Sequence, residues 1–232
     1  MSDSPLVSVI MPVYNGATYL GEALESAANQ TYASIEMIVI DDGSTDASLE
    51  IAGEFAKVRG VSQAHGGISA ARNRGFELAR GDFLALLDAD DLWLADKLAL
   101  QMRALEANPQ WGMVFGQVEE FISPELPAEL RRTVRLHAEM RPGVIPSALL
   151  VRREAVQRIG LFESQWQVGE FADWMLRASE AGVTWGILPE LLVRRRIHTT
   201  NNSIRERPAL TQYTRLIKAS LDRRRAARHA DE

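Results

Sequence analysis

Residues 7–16 read Val7-Ser8-Val9-Ile10-Met11-Pro12-Val13-Tyr14-Asn15-Gly16. The run up to Val13 is apolar almost throughout and rich in Val and Ile, and it ends on a polar turn signal. A run that short and continuous suits a strand buried on both faces of a parallel sheet. The pattern recurs at Ile35–Ile40 and Phe83–Leu87. Helical periodicity lies between these runs. Leu20, Ala23, Leu24, Ala27 and Ala28 fall on one helix face, with Thr18 as N-cap. Leu49, Ala52, Phe55 and Ala56 repeat the pattern after Ser44-Thr45-Asp46. A third helix is expected from Ser69 to before Gly81, and a fourth from Asp96 with Leu98, Met102 and Leu105 inward. Strands alternating with helices imply βαβ units with right-handed crossovers, hence an α/β fold with a mainly parallel sheet flanked by helices.

The second half is less regular. Val114–Ile122 and Val144–Val151 read as strands, and residues 123–142, with Pro124, Pro127 and Pro142, as a loop or loose helix. Helices are expected at Arg153–Ile159 and Phe171–Ala181, short strands at Val183–Leu188 and Leu191–Ile197, and a basic helix from about Ala209.

Composition narrows the function classes. The chain has 26 basic and 31 acidic residues, a net charge of −5, so no overall basic character points to nucleic acid. Cysteine is absent, which excludes disulfides and thiolate metal sites. Residues 1–6 lack the basic start and apolar run of a signal peptide, and no window is apolar enough to span a bilayer. A cytoplasmic location is the expectation.

In open α/β sheets, ligands bind beyond the carboxyl ends of the strands. Here those ends carry Tyr14-Asn15-Gly16, Asp41-Asp42-Gly43-Ser44-Thr45-Asp46 and Asp88-Ala89-Asp90-Asp91. A parallel sheet places all three on one rim, as an aromatic ring beside a dense group of carboxylates. Such a group repels itself unless a cation or hydrogen-bond donors compensate, and oxygen ligands without cysteine suit Mg²⁺ or Mn²⁺ with phosphate oxygens completing the shell. Each feature alone also has a structural reading: Asp46 with Ser44 and Thr45 as a helix cap, Tyr14 as loop packing, Gly66-Gly67 as a turn, Arg72 as a surface ion pair.

Taken together, these stretches resemble the family 2 glycosyltransferases of the GT-A fold. The resemblance is carried by Val7–Asn15, by Asp41–Asp46, by Gly66-Gly67-Ile68-Ser69-Ala70-Ala71-Arg72-Asn73-Arg74-Gly75 and by Leu87-Asp88-Ala89-Asp90-Asp91, in the family's order over residues 7 to 105. It implies a nucleotide-sugar donor, a UDP-sugar first, and transfer with inversion to a hydroxyl on a glycan, a lipid-linked intermediate, a peptide or a small molecule. It further implies that Pro12, Val13 and Tyr14 line the nucleobase pocket and that Asp42 meets the base edge. Arg72 would reach the nucleotide, Asp88 the ribose or sugar, and Asp90 a Mn²⁺ or Mg²⁺ ion. Looser matches follow. Residues 146–153 resemble the acceptor-side strand, and Arg196-Ile197-His198 resembles a late motif whose histidine lies near metal and diphosphate, which makes His198 a second metal candidate.

One departure matters. Many family members carry Glu-Asp near the start of the helix after the acceptor strand, with the aspartate as base. Aligned on Leu176-Arg177, that position is Phe171, which takes no proton. Glu170 and Asp173 are the remaining candidates, and they share a helix face. A nucleotide-sugar-binding protein without transferase activity is the alternative reading; a nucleotidyltransferase shares the carboxylate–metal logic but fits the first two motifs less well. The expected division is a GT-A domain over 5–204 and a basic helical tail over 205–232. Its Arg215, Lys218, Arg223, Arg224, Arg225 and Arg228 suit either solvent or peripheral contact with the inner membrane surface.

Overall fold

The computed structural model describes residues 4–133, 140–166, 168–199, 201 and 210–230. The expected domain boundary at 204/205 and part of the 123–142 loop lie outside them. The elements run β1 (Val7–Val13), α1 (Ala17–Ala28), β2 (Ile35–Asp41), α2 (Ser48–Gly53), β3 (Val58–Ser62), α3 (Ile68–Leu78), β4 (Phe83–Leu86) and β5 (Leu92–Trp93). They continue with α4 (Lys97–Ala107), β6 (Trp111–Ile122), α5 (Ala128–Thr133), β7 (Arg141–Pro142), β8 (Leu150–Arg152) and α6 (Arg153–Ile159). The last are α7 (Glu170–Glu180), β9 (Thr184–Ile197) and α8 (Leu210–Ala230).

One sheet organises the fold, in the order β3-β2-β1-β4-β8-β6-β9-β5, with β7 on β6. The first half is parallel: β1 pairs with β2 and β4, and β2 with β3. Every side chain of β1 is buried, as expected of a strand covered on both faces. The second half is mixed, since β8 runs antiparallel to β4 and β6 while β9 runs parallel to β6. The α/β expectation therefore holds, with the parallel pairing concentrated where the continuous apolar runs lie. The helix α3 packs close against β1 because Gly75 has no side chain; a Cβ there would stand 2.2 Å from the Ile10 Cγ2.

Four local expectations are corrected. Strand β3 is an edge strand that the sequence does not announce. Val144–Val151 is not one strand, because Pro146–Ala148 turns as a 3-10 helix and only Leu150–Arg152 pairs. The two short strands expected over 183–197 are one strand, β9, with an irregularity where its pairing to β6 slips between Phe115 and Gln117. Thr18 lies inside α1, and the amides that open this helix are met instead by the β2–α2 loop: Gly16 N–H donates to Ser48 Oγ at 3.0 Å and Ala17 N–H to Asp46 Oδ2 at 3.0 Å. Among the described residues no helix is long and apolar enough to cross a membrane.

Candidate functional site

The carboxyl ends of β1, β2 and β4 meet on one edge, as parallel pairing requires. Asn15 follows β1 with φ 50°, a left-handed turn that asparagine tolerates, and its Oδ1 accepts from Thr45 N–H at 2.8 Å. This bond and Asn15 N–H to Ser44 Oγ at 2.9 Å lock the first loop to the second.

Beside that lock lies an aromatic corner. Tyr14 is half exposed, and the ring of His65 stacks on it with centroids 4.2 Å apart at 27°. His65 Nδ1 stands 2.9 Å from Asp42 Oδ2 and 3.1 Å from the Asp42 carbonyl oxygen. Both are acceptors, so Nδ1 carries the proton. Pro12 and Val13 are buried in β1. Asp42 is buried, and its carboxylate also accepts from Gln63 Nε2 at 2.7 Å, Gly66 N–H at 2.9 Å and Gly67 N–H at 2.8 Å. Those bonds pin the loop that leads into α3. With His65 beside it, the Asp42 carboxylate is thus engaged by four protein donors.

Arg72 is the centre of the next cluster. It rises from the inward face of α3 with only 1% of its surface exposed. Its Nη1 donates to Glu170 Oε1 at 2.7 Å and its Nη2 to Asp88 Oδ1 at 2.9 Å, with Phe162 under the guanidinium at 5.5 Å. Arg72 Nε is buried and has no hydrogen-bond partner among the described residues. Burial opposes the Arg72 charge, but Asp88 and Glu170 outweigh it and raise the guanidinium pKa. The Asp88 carboxyl is pushed up by burial, against the pull of Arg72, with the charges of Asp90 and Glu170 adding to the rise. Arg72 is thus an internal bridge and not a surface ion pair.

Glu170 opens α7 after Gly169, whose φ of +84° an L side chain rarely adopts. Glu170 accepts from Arg72 through Oε1. Phe171 turns into the core, 6.1 Å from the Trp174 ring and 6.4 Å from Phe115. Asp173 is fully buried, held by Arg177 Nε at 2.9 Å and by Arg223 Nη1 of α8 at 3.2 Å. A carboxylate enclosed between two guanidiniums has no route to an acceptor hydroxyl. The structure makes Asp173 a counterion that fixes α7 to α8, and it corrects the expectation that Asp173 is a base candidate.

The third cluster brings the ends of β4 and β9 together. Asp90 Oδ2 lies 2.9 Å from His198 Nε2 and accepts from Asn201 Nδ2 at 3.0 Å. Asn201 Oδ1 in turn accepts the His198 N–H at 2.6 Å. Arg196 lies over the Tyr19 and Phe121 rings, 4.8 and 4.7 Å away, and donates to the Asp90 carbonyl at 3.2 Å. Asp91 turns inward, accepting from Ser147 Oγ at 2.6 Å and Arg196 N–H at 3.1 Å. Burial, then the charges of Asp90 and Asp88, push the Asp91 carboxyl well up.

Among the described residues no three His, Cys, Asp or Glu side chains gather as a closed metal cage. Mg²⁺ and Mn²⁺ sites at phosphates do not require one: a carboxylate or two, with phosphate oxygens and water, suffices. Asp90 with His198 beside it is such a donor pair, and its chemistry fits that ion. Sequence reasoning missed His65, Tyr19 and Ser147. Only His65 carried a signal, as a polar aromatic just before the Gly66-Gly67 turn.

A family model described as glycosyl transferase family 2 matches residues 8–160. The putative glycosyltransferase EpsH of Bacillus subtilis is 44% identical over 104 residues, 43% of this chain and 30% of that protein. An uncharacterized glycosyltransferase of Haemophilus influenzae is 45% identical over 109 residues, 45% of this chain and 44% of that one. RP339 of Rickettsia prowazekii, also called a glycosyltransferase, is 30% identical over 219 residues, 88% of this chain and 68% of its own length. The chain thus spans less than half of the first two relatives. Staphylococcus aureus TarS 1-349 in complex with UDP-GlcNAc superposes with a TM-score of 0.71 at 19% identity, covering 84% of this chain and 60% of that one. A likeness at that identity establishes the GT-A fold alone.

Proposed function

The chain belongs to glycosyl transferase family 2, and on that premise we propose that it transfers a sugar from a nucleoside-diphosphate donor to an acceptor hydroxyl with inversion. The observation that carries the reading is the shared rim: Tyr14, Asp42, Asp88 and Asp90 at three strand ends, tied through Arg72 to Glu170. TarS, which shares the fold, is seen in complex with UDP and with UDP-GlcNAc, and this supports a UDP-sugar as the first donor to test.

The base stacks at the Tyr14–His65 corner, with Asp42 exchanging a loop donor for the base edge. Asp90 and His198 would hold a Mn²⁺ or Mg²⁺ ion, which when bound would offset charge on the departing diphosphate. Asp88 faces the sugar and is kept in place by Arg72. Glu170 takes the acceptor proton on Oε2, while Oε1 stays with Arg72 so that the carboxylate keeps its orientation. Arg72 therefore orients the residue on the donor side and the residue on the acceptor side together.

The second reading, donor binding without transfer, draws support from Phe171, which occupies the family's base position and is packed into the core. Single-turnover assays separate the two. Glu170→Gln keeps its hydrogen bond to Arg72 but accepts no proton, so transfer should fall by about 10²–10⁴ with donor affinity nearly unchanged. A normal rate would remove Glu170 as the base. Donor binding without turnover by the wild type, across a broad acceptor panel, would favour the second reading.

A further inference from the structure

Helix α1 makes contacts from two faces. Leu20, Ala23, Leu24 and Ala27 are its buried apolar side. Tyr19, Glu22 and Ser26 form a second stripe, at helical positions i, i+3 and i+7, and that stripe meets the β9-β5 edge of the sheet. Ser26 Oγ accepts the Trp93 N–H of β5 at 3.1 Å, and Glu22 accepts from Arg196 Nη2 of β9 at 2.6 Å. Beyond the helix end, Gln30 Nε2 donates to the Leu94 carbonyl at 2.8 Å. These bonds fix where α1 stands relative to β5 and the end of β9.

Tyr19 opens this stripe and stands beside the Asp90–His198 pair. Its ring packs against the His198 imidazole, with centroids 4.5 Å apart at 49°. The ring is itself held: the Arg196 guanidinium lies over it at 4.8 Å, and the hydroxyl donates to Glu125 in the loop after β6. His198 is anchored at its backbone, where its N–H donates to Asn201 Oδ1 at 2.6 Å, and its Nε2 stands 2.9 Å from Asp90 Oδ2. Neither of those two contacts fixes the tilt of the imidazole plane. The tilt matters, because a ring nitrogen offers its lone pair in the plane of the ring. Turning the plane moves that lone pair off the point where Asp90 Oδ2 would share an ion. A side chain packed against the imidazole limits the turn.

We propose that Tyr19 is a positioning residue for the ion: its ring sets the His198 imidazole so that Nε2 and Asp90 Oδ2 converge on one Mn²⁺ or Mg²⁺. The inference rests on the reading of Asp90 and His198 as the donor pair. The hydroxyl has a different task, holding the loop after β6, so ring and hydroxyl can be tested apart. If Tyr19 only packed α1 onto Arg196, its loss would reach the ion through the Arg196 bond to the Asp90 carbonyl, with or without the imidazole.

The test uses the whole chain, with free Mn²⁺ read by electron paramagnetic resonance in the presence of UDP and, separately, of GDP. Wild type should bind Mn²⁺, and His198→Ala should weaken it by at least about tenfold. Tyr19→Leu removes the ring and should also weaken it by about tenfold. Tyr19→Phe keeps the ring and should stay within about twofold of wild type. The deciding variant is Tyr19→Leu combined with His198→Ala. With the imidazole gone the ring has nothing to position, so the pair should bind Mn²⁺ within about twofold of His198→Ala alone. Should Tyr19→Leu fold poorly, Tyr19→Met, longer and more adaptable, takes its place with the same expectations. Losses that multiply in the combined variant, a Tyr19→Phe loss as large as that of Tyr19→Leu, or unaltered affinity in Tyr19→Leu would each overturn the inference and leave the donor pair intact. Unaltered affinity in His198→Ala would overturn it by removing His198 from the pair. No Mn²⁺ binding by wild type with either nucleotide would remove the ion reading and the inference together.

Discussion

Replacing Arg72 by methionine removes the bridge between Asp88 and Glu170 while keeping a side chain of similar length. Breaking a buried ion pair from one side costs about 3–5 kcal/mol, because the remaining charge is left in a poor environment. Here two carboxylates are stranded, but neither is fully enclosed: Asp88 keeps 30% of its side-chain surface in solvent and Glu170 14%. Both relax partly into water, and Arg72 Nε, which has no hydrogen-bond partner among the described residues, ceases to be a cost. The lower end of the range applies, about 3 kcal/mol. With a urea slope near the upper end of about 1–3 kcal/mol per molar, the unfolding midpoint should fall by about 1 M. Arg72→Met combined with Asp88→Asn and Glu170→Gln should recover part of that loss, because no charge is then stranded. Arg72→Lys should not rescue, since one ammonium lacks the planar fork that reaches both carboxylates. Urea titration followed by circular dichroism reads all three. A midpoint for Arg72→Met within about 0.2 M of wild type would refute the bridge as a source of stability.

Other expectations follow from single contacts. Tyr14→Ala should weaken nucleoside diphosphate binding by about 1–3 kcal/mol, and His65→Ala should weaken it too, by calorimetry; unchanged affinity in both would remove the aromatic corner from the donor site. Asp173→Asn should lower stability by about 2–4 kcal/mol and expose α8 to limited proteolysis, since Arg177 and Arg223 lose their shared counterion. Lys97 is fully buried over the Trp93 ring at 4.0 Å, with Nζ donating to Gln101 Oε1 at 2.8 Å, and burial lowers its pKa well below the usual value. The unfolded chain then binds this proton more tightly, so the Lys97 contribution to stability rises with pH up to the unfolded pKa of about 10.4. Lys97→Met should flatten that rise between pH 7 and pH 9 in urea midpoints, and an unaltered pH slope would contradict the assignment.

How much of this was legible depended on whether the signal was local. Strands β1, β2 and β4 announce themselves because burial on both faces demands continuous apolar runs, and α1 and α4 because one apolar face repeats at helical spacing. Strand β3 has a single neighbour and carries Arg59 and Gly60, so it shows neither pattern. The 3-10 turn at Pro146–Ala148 hides in a stretch that looks apolar enough to be a strand. At the site, the residue types on the rim could be read, but their partners could not. Arg72 meets Glu170 from 98 positions away, and Asp173 is closed off by a helix from the end of the chain. The spacing of Glu170 and Asp173 puts both on one face of α7, yet it does not tell that α8 covers one of them.

The central claim is catalytic transfer from a nucleotide sugar, and proton NMR of turnover tests it most directly. Wild-type protein is incubated with Mg²⁺ and a series of α-linked UDP- and GDP-sugars, with water or an added alcohol as acceptor, and the first-formed anomer is recorded. The account predicts release of nucleoside diphosphate from at least one donor, a β-linked or β-configured first product, and loss of this turnover in Asp90→Ala. Nucleotide binding with no release from any donor would contradict transfer, and an α-configured first product would contradict inversion.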